Sequence, residues 1–185
     1  MTSAHHVRHA GRLLRAGGVI AHPTEGVFGL ACNPFDPVAV GRILDLKGRA
    51  FEAGFILLAA DIAYVRALTG SLPEARWREI TATWPGPLTW VLPGAPGLPD
   101  WVTGGRRTFA ARVTAFAPAA ALCTAAGGLL ISTSANPSGR APARSALRAR
   151  VYFPTGLDMV LGGQTGGLTR PTPIRDAESG HSLRD

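Results

Sequence analysis

The chain has almost no lysine. Of 19 basic residues among 185, Lys47 is the one lysine and the rest are arginine. Arginine use this one-sided is what a base-composition bias in the coding sequence produces. A lysine that survives such a bias marks a place where a compact point charge serves and a planar fork does not. Lys47 is therefore singled out before any motif is considered. Cysteine is nearly as scarce. Cys32 and Cys123 have neither metal-ligand spacing nor the number a disulfide framework needs, and both are read as buried free thiols. The five histidines contain no His-Glu-x-x-His pattern, so no protein-ligated metal is expected. A Gly-x-x-x-x-Gly-Lys-Ser/Thr sequence is missing too, which excludes a P-loop. No apolar run approaches the roughly 18 residues of a membrane-spanning helix. The first residues carry His5, His6, Arg8 and Arg12 without an apolar stretch. The expectation is a cytoplasmic protein with no signal peptide and no membrane partner.

What is present describes a globular chain. Hydrophobic residues make up 46% and charged residues 17%, too apolar for a disordered segment. A length of 185 residues suits one domain, 1–185, with a full core. The net charge of +7 favours anionic partners: nucleotides, phosphate or RNA.

Periodicity predicts a helix over Val7–Ala16, with Val7, Ala10 and Leu14 on one face and Gly17-Gly18 closing it. Val19–Ala21 and Val27–Cys32 read as strands around a Pro23–Gly26 turn. Asp36 and Pro37 open a helix that runs through Lys47 to Gly48. Strands are expected at Phe55–Ala60, Leu88–Leu92, Thr108–Val113 and Leu129–Ser132. Helices are expected at Asp61–Leu68, at Pro73–Thr83, from Pro118 to Gly127-Gly128, and after the capping Ser145. Met159–Leu161 and Pro173-Ile174 are edge-strand candidates, and 93–105 is a Pro/Gly-rich loop. The alternation predicts a twisted α/β sheet covered by helices.

Five segments carry chemistry. His22-Pro23-Thr24-Glu25-Gly26 ends a strand, where ligand sites of α/β sheets gather. Lys47-Gly48-Arg49 places two cations just past a helix. They can converge on a polyphosphate, or they can simply complement the helix dipole, worth about 0.3–1 kcal/mol. Ser132-Thr133-Ser134-Ala135-Asn136-Pro137-Ser138-Gly139-Arg140 empties an apolar strand into hydroxyls and an amide, a donor set suited to phosphate or ribose oxygens. Trp84-Pro85-Gly86-Pro87-Leu88-Thr89 is a rigid turn before a strand. Arg112 stands inside an apolar strand, where a charge is costly unless it is paired or liganded. A buried ion pair and a substrate carboxylate are both open there.

In this order and at these separations, together with Pro171-Thr172-Pro173-Ile174-Arg175-Asp176, the segments resemble the YrdC/TsaC family. These are the threonylcarbamoyl-AMP synthases of tRNA modification. The resemblance implies a single-domain YrdC-like fold with a mixed sheet and an open, positively charged cavity. It implies a nucleotidyltransferase that turns L-threonine, bicarbonate and ATP into L-threonylcarbamoyladenylate and pyrophosphate. By the same resemblance Lys47 and Arg49 are catalytic and bind ATP with Thr108, Ser134, Asn136 and Arg144. Thr24, Arg112, Ser134 and Thr172 hold threonine. Mg²⁺ rides on the phosphates with no protein ligands, and a partner transferase complex passes the product to tRNA. Three positions depart from the family pattern: Ala50 where proline is usual, Ala53 where a polar or basic residue is usual, and Gly26 where longer members have a second threonine.

A different class of reading is an RNA-binding or ribosome-maturation protein of the same fold. It rests on the +7 charge and on Arg140, Arg144, Arg148 and Arg150, and makes tRNA or another structured RNA a direct partner.

Overall fold

The computed structural model describes residues 3–184; Met1, Thr2 and Asp185, included in the expected domain 1–185, lie outside the described residues. Helix α1 (Ala4–Arg15) begins earlier than its apolar periodicity suggested, because Ser3 caps it by accepting from the His6 N–H. Strands β1 (Ile20–Pro23) and β2 (Phe28–Ala31) form an antiparallel hairpin, with Ile20 opposite Ala31 and Pro23 opposite Phe28. Helix α2 (Pro37–Lys47) follows its sequence signals closely. Asp36 Oδ1 accepts from the Val38 and Ala39 N–H groups, Pro37 sits at the first turn, and Gly48 closes the helix at φ 56°.

After a single 3₁₀ turn (Phe51–Ala53) come β3 (Ile56–Ala59), α3 (Ile62–Arg66) and α4 (Glu74–Thr83). Then follow β4 (Thr89–Pro93), α5 (Asp100–Thr103), β5 (Thr108–Val113), α6 (Ala117–Ala126) and β6 (Leu129–Ser134). Helix α7 (Ala146–Tyr152), β7 (Met159–Val160), β8 (Ile174–Asp176) and β9 (Ser182–Arg184) complete the chain. Helix α5 interrupts the loop expected over 93–105, and β9 was not foreseen.

The strands form one mixed sheet in the order β7-β1-β2-β6-β3-β5-β4-β8-β9. The pairs β3–β5, β1–β7 and β4–β8 are parallel and the others antiparallel. Helices cover both faces. Neighbouring residues on β3 show the split: Leu57 belongs to the core cluster of Phe28, Ile43, Ile80 and Trp90, while Leu58 belongs to that of Leu14, Ile20, Leu122 and Leu130. Burial on both faces explains why β3 reads as an unbroken apolar run rather than an alternating one. Helices α1 and α6 touch so closely that a Cβ on Gly11 would stand 2.5 Å from the Ala125 carbonyl oxygen. Among the described residues no helix is long and apolar enough to cross a membrane.

His22, on β1, is fully buried. Its Nδ1–H donates to the Pro23 carbonyl at 3.1 Å, and Nε2 has no partner. Burial pushes the imidazole down from 6.5 to about 4, against the opposing pull of Pro23 and Glu25. The unfolded chain then binds more protons than the folded one between about pH 4 and 6.5, so stability rises with pH across that window and is lost on acidification. At pH 5 the loss from His22 is about 2 kcal/mol relative to pH 7.5. Urea unfolding at the two pH values should show a drop larger by this amount in the wild type than in His22→Gln. Equal drops would refute a neutral buried His22.

Candidate functional site

A cavity of about 680 Å³ opens where loops meet the sheet. That volume suits a nucleotide-sized ligand. Its wall is built from the β1–β2 turn (Thr24, Gly26), the stretch from the end of the 3₁₀ turn into β3 (Ala53 to Ile56), β5, the end of β6, and a strap over residues 168–172. On β5 the residues Thr108, Ala110 and Arg112 alternate onto one face, and Ser132 and Ser134 do the same on β6. Six arginines reach the wall: Arg49, Arg106, Arg112, Arg144, Arg170 and Arg184. No aspartate or glutamate is among the lining residues.

Arg112 is the most buried of these cations, 4% exposed. Its Nη2 meets Glu25 Oε2 at 3.2 Å, and its Nη1 donates to Thr89 Oγ1 at 3.2 Å and to Thr172 Oγ1 at 3.0 Å. Thr114 Oγ1 donates to the other oxygen of Glu25 at 2.6 Å. Burial lowers the guanidinium's pKa and Glu25 raises it; a guanidinium remains charged throughout. The two possibilities left open by the sequence are thus not exclusive. Arg112 has its ion pair and still lines the cavity, and its Nε is buried without a partner. Glu25 and Thr89 stand in segments that the sequence marks for chemistry but with no role assigned there, and Thr114 stands in none. Thr89 lay inside the Trp84–Thr89 turn, which aims it: Trp84 Nε1 donates to the Leu88 carbonyl at 2.7 Å, and Gly86 N–H to the Val113 carbonyl at 2.8 Å.

Lys47 is held by backbone. Neither Lys47 nor Asn136 is among the residues that line the cavity. Lys47 is 4% exposed, and its ammonium donates to the backbone carbonyls of Ser134 and, at 2.9 Å, Asn136. Its own carbonyl accepts from the Ser138 N–H at 2.7 Å. Asn136 Nδ2 in turn donates to the carbonyls of Pro137 and Arg140, at 3.0 and 2.7 Å. Two carbonyls converging on one buried point fit an ammonium, whereas a guanidinium's five N–H groups would leave donors orphaned. That is a physical reason for the surviving lysine. Burial, and secondarily Arg49, lowers the Lys47 pKa from 10.5 to about 8, so it is still mostly protonated at neutral pH.

The other expected residues meet at the cavity. Arg49 Nη2 donates to the Gly54 carbonyl at 2.9 Å, its guanidinium lies 5.4 Å from the centre of the Phe55 ring, and its Nε is buried and unpartnered. Thr24 is pinned by its Oγ1 donating to the Val27 carbonyl at 2.8 Å. Ser134 and Thr108 line the wall directly. Arg144 Nη2 donates to the Thr169 carbonyl at 3.2 Å, and Thr172 sits on the strap between Arg112 and Arg184. Arg184 Nε and Nη2 donate to the Thr172 carbonyl at 3.1 and 2.6 Å. Arg106, Arg170 and Arg184 were missed. No motif contained Arg106 or Arg184, and only the close of the fold brings β9 alongside β8.

The departures from the family pattern have structural counterparts. Ala50 holds φ −65°, the angle a proline ring would fix, so the turn keeps its shape without proline. At Gly26 a Cβ would stand 3.1 Å from the Leu168 carbonyl oxygen, so glycine allows the strap to lie close over the turn. The strap is fastened there by Gly166 N–H to the Thr24 carbonyl and Leu168 N–H to the Glu25 carbonyl, each 2.9 Å. Among the described residues there is no group of three or more histidine, cysteine, aspartate or glutamate side chains that could hold a metal ion.

A family model for Sua5/YciO/YrdC domains, described as telomere recombination, matches residues 12–185. A threonylcarbamoyl-AMP synthase of Halorhodospira halophila is 56% identical over 179 residues, covering 96% of this chain and 93% of that protein. Sua5 of P. abyssi, solved in complex with L-threonine, superposes with a TM-score of 0.88 at 31% identity. That alignment covers 94% of this chain and 51% of Sua5, so the chain spans about half of the Sua5 length. E. coli YciO shares the fold, with a TM-score of 0.86 at 24% identity over 99% of this chain and 90% of that one.

If Lys47 is a staple, its loss should loosen the loop it holds. Lys47→Ala should lower the unfolding free energy by about 1–3 kcal/mol, and amide exchange should speed up over residues 134–138. Turnover should fall at least about tenfold, and Lys47→Arg should not restore it. Unchanged protection of 134–138 in Lys47→Ala would refute the staple.

Proposed function

The chain belongs to the Sua5/YciO/YrdC family, and from that premise we propose that it makes L-threonylcarbamoyl-AMP and pyrophosphate from L-threonine, bicarbonate and ATP. The observation that supports this reading most is the charge of the cavity wall: six arginines and no carboxylate, with Arg112 hydrogen-bonded to Thr172 within it. Curated relatives at 44–56% identity are named threonylcarbamoyl-AMP synthase.

The reaction needs such a wall. Threonine's amine first adds to bicarbonate, losing water and giving a carbamate. A carbamate oxygen then attacks the α-phosphorus, and pyrophosphate leaves. Carboxylated threonine carries about two negative charges and ATP about four, so bringing them together is opposed by repulsion that positioned cations must offset. A pair of opposite unit charges about 4 Å apart near a protein surface is worth about 4 kcal/mol. Among the described residues only Arg112 of the six is in an ion pair, with Glu25. The other five present their charge to whatever enters.

Roles follow from placement. Arg112, through its unpartnered Nε edge, takes the threonine carboxylate, with Thr172, Thr24 and Ser134 beside it. Arg49, Thr108 and Arg144 hold the nucleotide. Lys47 and Asn136 shape the 134–140 loop rather than face the cavity. Mg²⁺ fits as a passenger on the phosphates: the lining offers hydroxyls but no carboxylate to hold a resident ion. Bound there it would neutralise part of the phosphate charge. Exposed Arg140, Arg148 and Arg150 around α7 support direct contact with tRNA, and a partner transferase would receive the product.

Purified protein given ATP, Mg²⁺ and bicarbonate should release pyrophosphate only when L-threonine is added. Equal release with L-serine, or with no amino acid, would overturn the substrate assignment. Tight, steeply salt-dependent RNA binding without threonine-dependent release would favour the RNA-binding reading instead.

A further inference from the structure

Arg106 belongs to no motif, yet the fold carries it to the cavity wall. It follows Gly104 and Gly105, both at positive φ, 67° and 75°. A Cβ on Gly104 would stand 2.5 Å from the Glu52 carbonyl oxygen, so only glycine lets this turn press against the 3₁₀ segment. The consequence is that Arg106 Nη2 donates to the Glu52 carbonyl at 2.6 Å and Nη1 to the Thr103 carbonyl at 3.1 Å. Arg49 reaches the same short segment, donating to the carbonyls of Ala53 at 3.4 Å and Gly54 at 2.9 Å. Three consecutive carbonyls, 52 to 54, therefore each accept from a cavity-lining guanidinium. Ala53 lines the wall there with a side chain too small to screen either one.

Both arginines are oriented by backbone carbonyls. Among the described residues neither makes an ion pair with a carboxylate. Arg49 keeps a buried Nε with no partner, a donor waiting for an acceptor that the chain does not supply. Two fixed guanidiniums with spare N–H groups and uncompensated charge form a receptor for a tetrahedral polyanion. We propose that Arg106 and Arg49 together form a phosphate subsite of the cavity, and that Arg106 binds a phosphate of the incoming nucleotide and of the departing pyrophosphate. The proposal rests on the synthase reading for its choice of ligand, but the subsite can be tested without turnover.

Calorimetry with inorganic pyrophosphate on the intact protein does so. Arg106→Gln should weaken pyrophosphate binding at least about fivefold and raise the KM for ATP by a similar factor, while the KM for L-threonine changes less than twofold. Arg106→Lys, which returns a point charge without the fork, should recover part of the affinity. Unchanged pyrophosphate binding in Arg106→Gln would overturn the subsite, whether or not the wild type proves to be a synthase. An equal rise in both KM values would assign Arg106 a purely structural role and overturn it as well. Should Arg106→Gln lower the melting temperature, Arg106→Lys carries the test. Selective loss of nucleotide affinity in that folded variant supports the subsite, and wild-type affinity at both low and high salt for Arg106→Met and Arg106→Lys alike sinks it.

Discussion

The ion pair between Arg112 and Glu25 is the contact on which the site depends. It ties β5 to the β1–β2 turn. Through the same guanidinium β4 is held by Thr89 and the strap by Thr172. A buried charge with one partner removed costs several times what the pair itself contributes, about 3–5 kcal/mol, so none of these segments can drift independently. The pair is an indifferent source of stability and a good source of position. Glu25 contributes twice, since its backbone carbonyl also receives the strap at Leu168.

The cations of the wall are arranged by a common device. Arg49, Arg106, Arg144 and Arg184 each rest on backbone carbonyls. A carbonyl orients a guanidinium without cancelling its charge, whereas a carboxylate would do both. The cavity thereby keeps a positive field and a defined geometry together, which is what preorganised electrostatic catalysis requires. Lys47 applies the same principle, spending its charge on two carbonyls so that the Ser134–Ser138 loop has a fixed shape.

Much of this was legible in the chain. Asp36, Pro37 and Gly48 mark the ends of α2 almost to the residue, because capping is local chemistry. Helix α1 was placed late because its apolar stripe starts after its cap at Ser3. The brief α5 and the outer strand β9 escaped notice: four and three residues carry no periodicity, and β9 exists only because β8 offers an edge. At the site, motifs located Arg49, Arg112, Ser134 and Thr172. They could not tell a lysine that touches a ligand from one that holds the wall, since both need the same residue at the same place. Arg106 and Arg184 were invisible for another reason. Each reaches the cavity through a tertiary contact, a glycine turn in one case and a strand edge in the other.

A wall whose charged groups are all guanidiniums, set among hydroxyls and apolar side chains with no carboxylate among the lining residues, is a wall whose charge barely depends on acidity. Guanidiniums keep their protons far above neutrality, and hydroxyls and carbonyls have none to exchange near it. Lys47, buried, switches only at about 8, and His22, buried on β1, is held neutral down to about 4. Between those limits a bound polyanion would meet an almost constant potential. Any acidity dependence of its capture would then come from the phosphates and the amine of the ligands, making the protein a fixed electrode against which the substrates titrate.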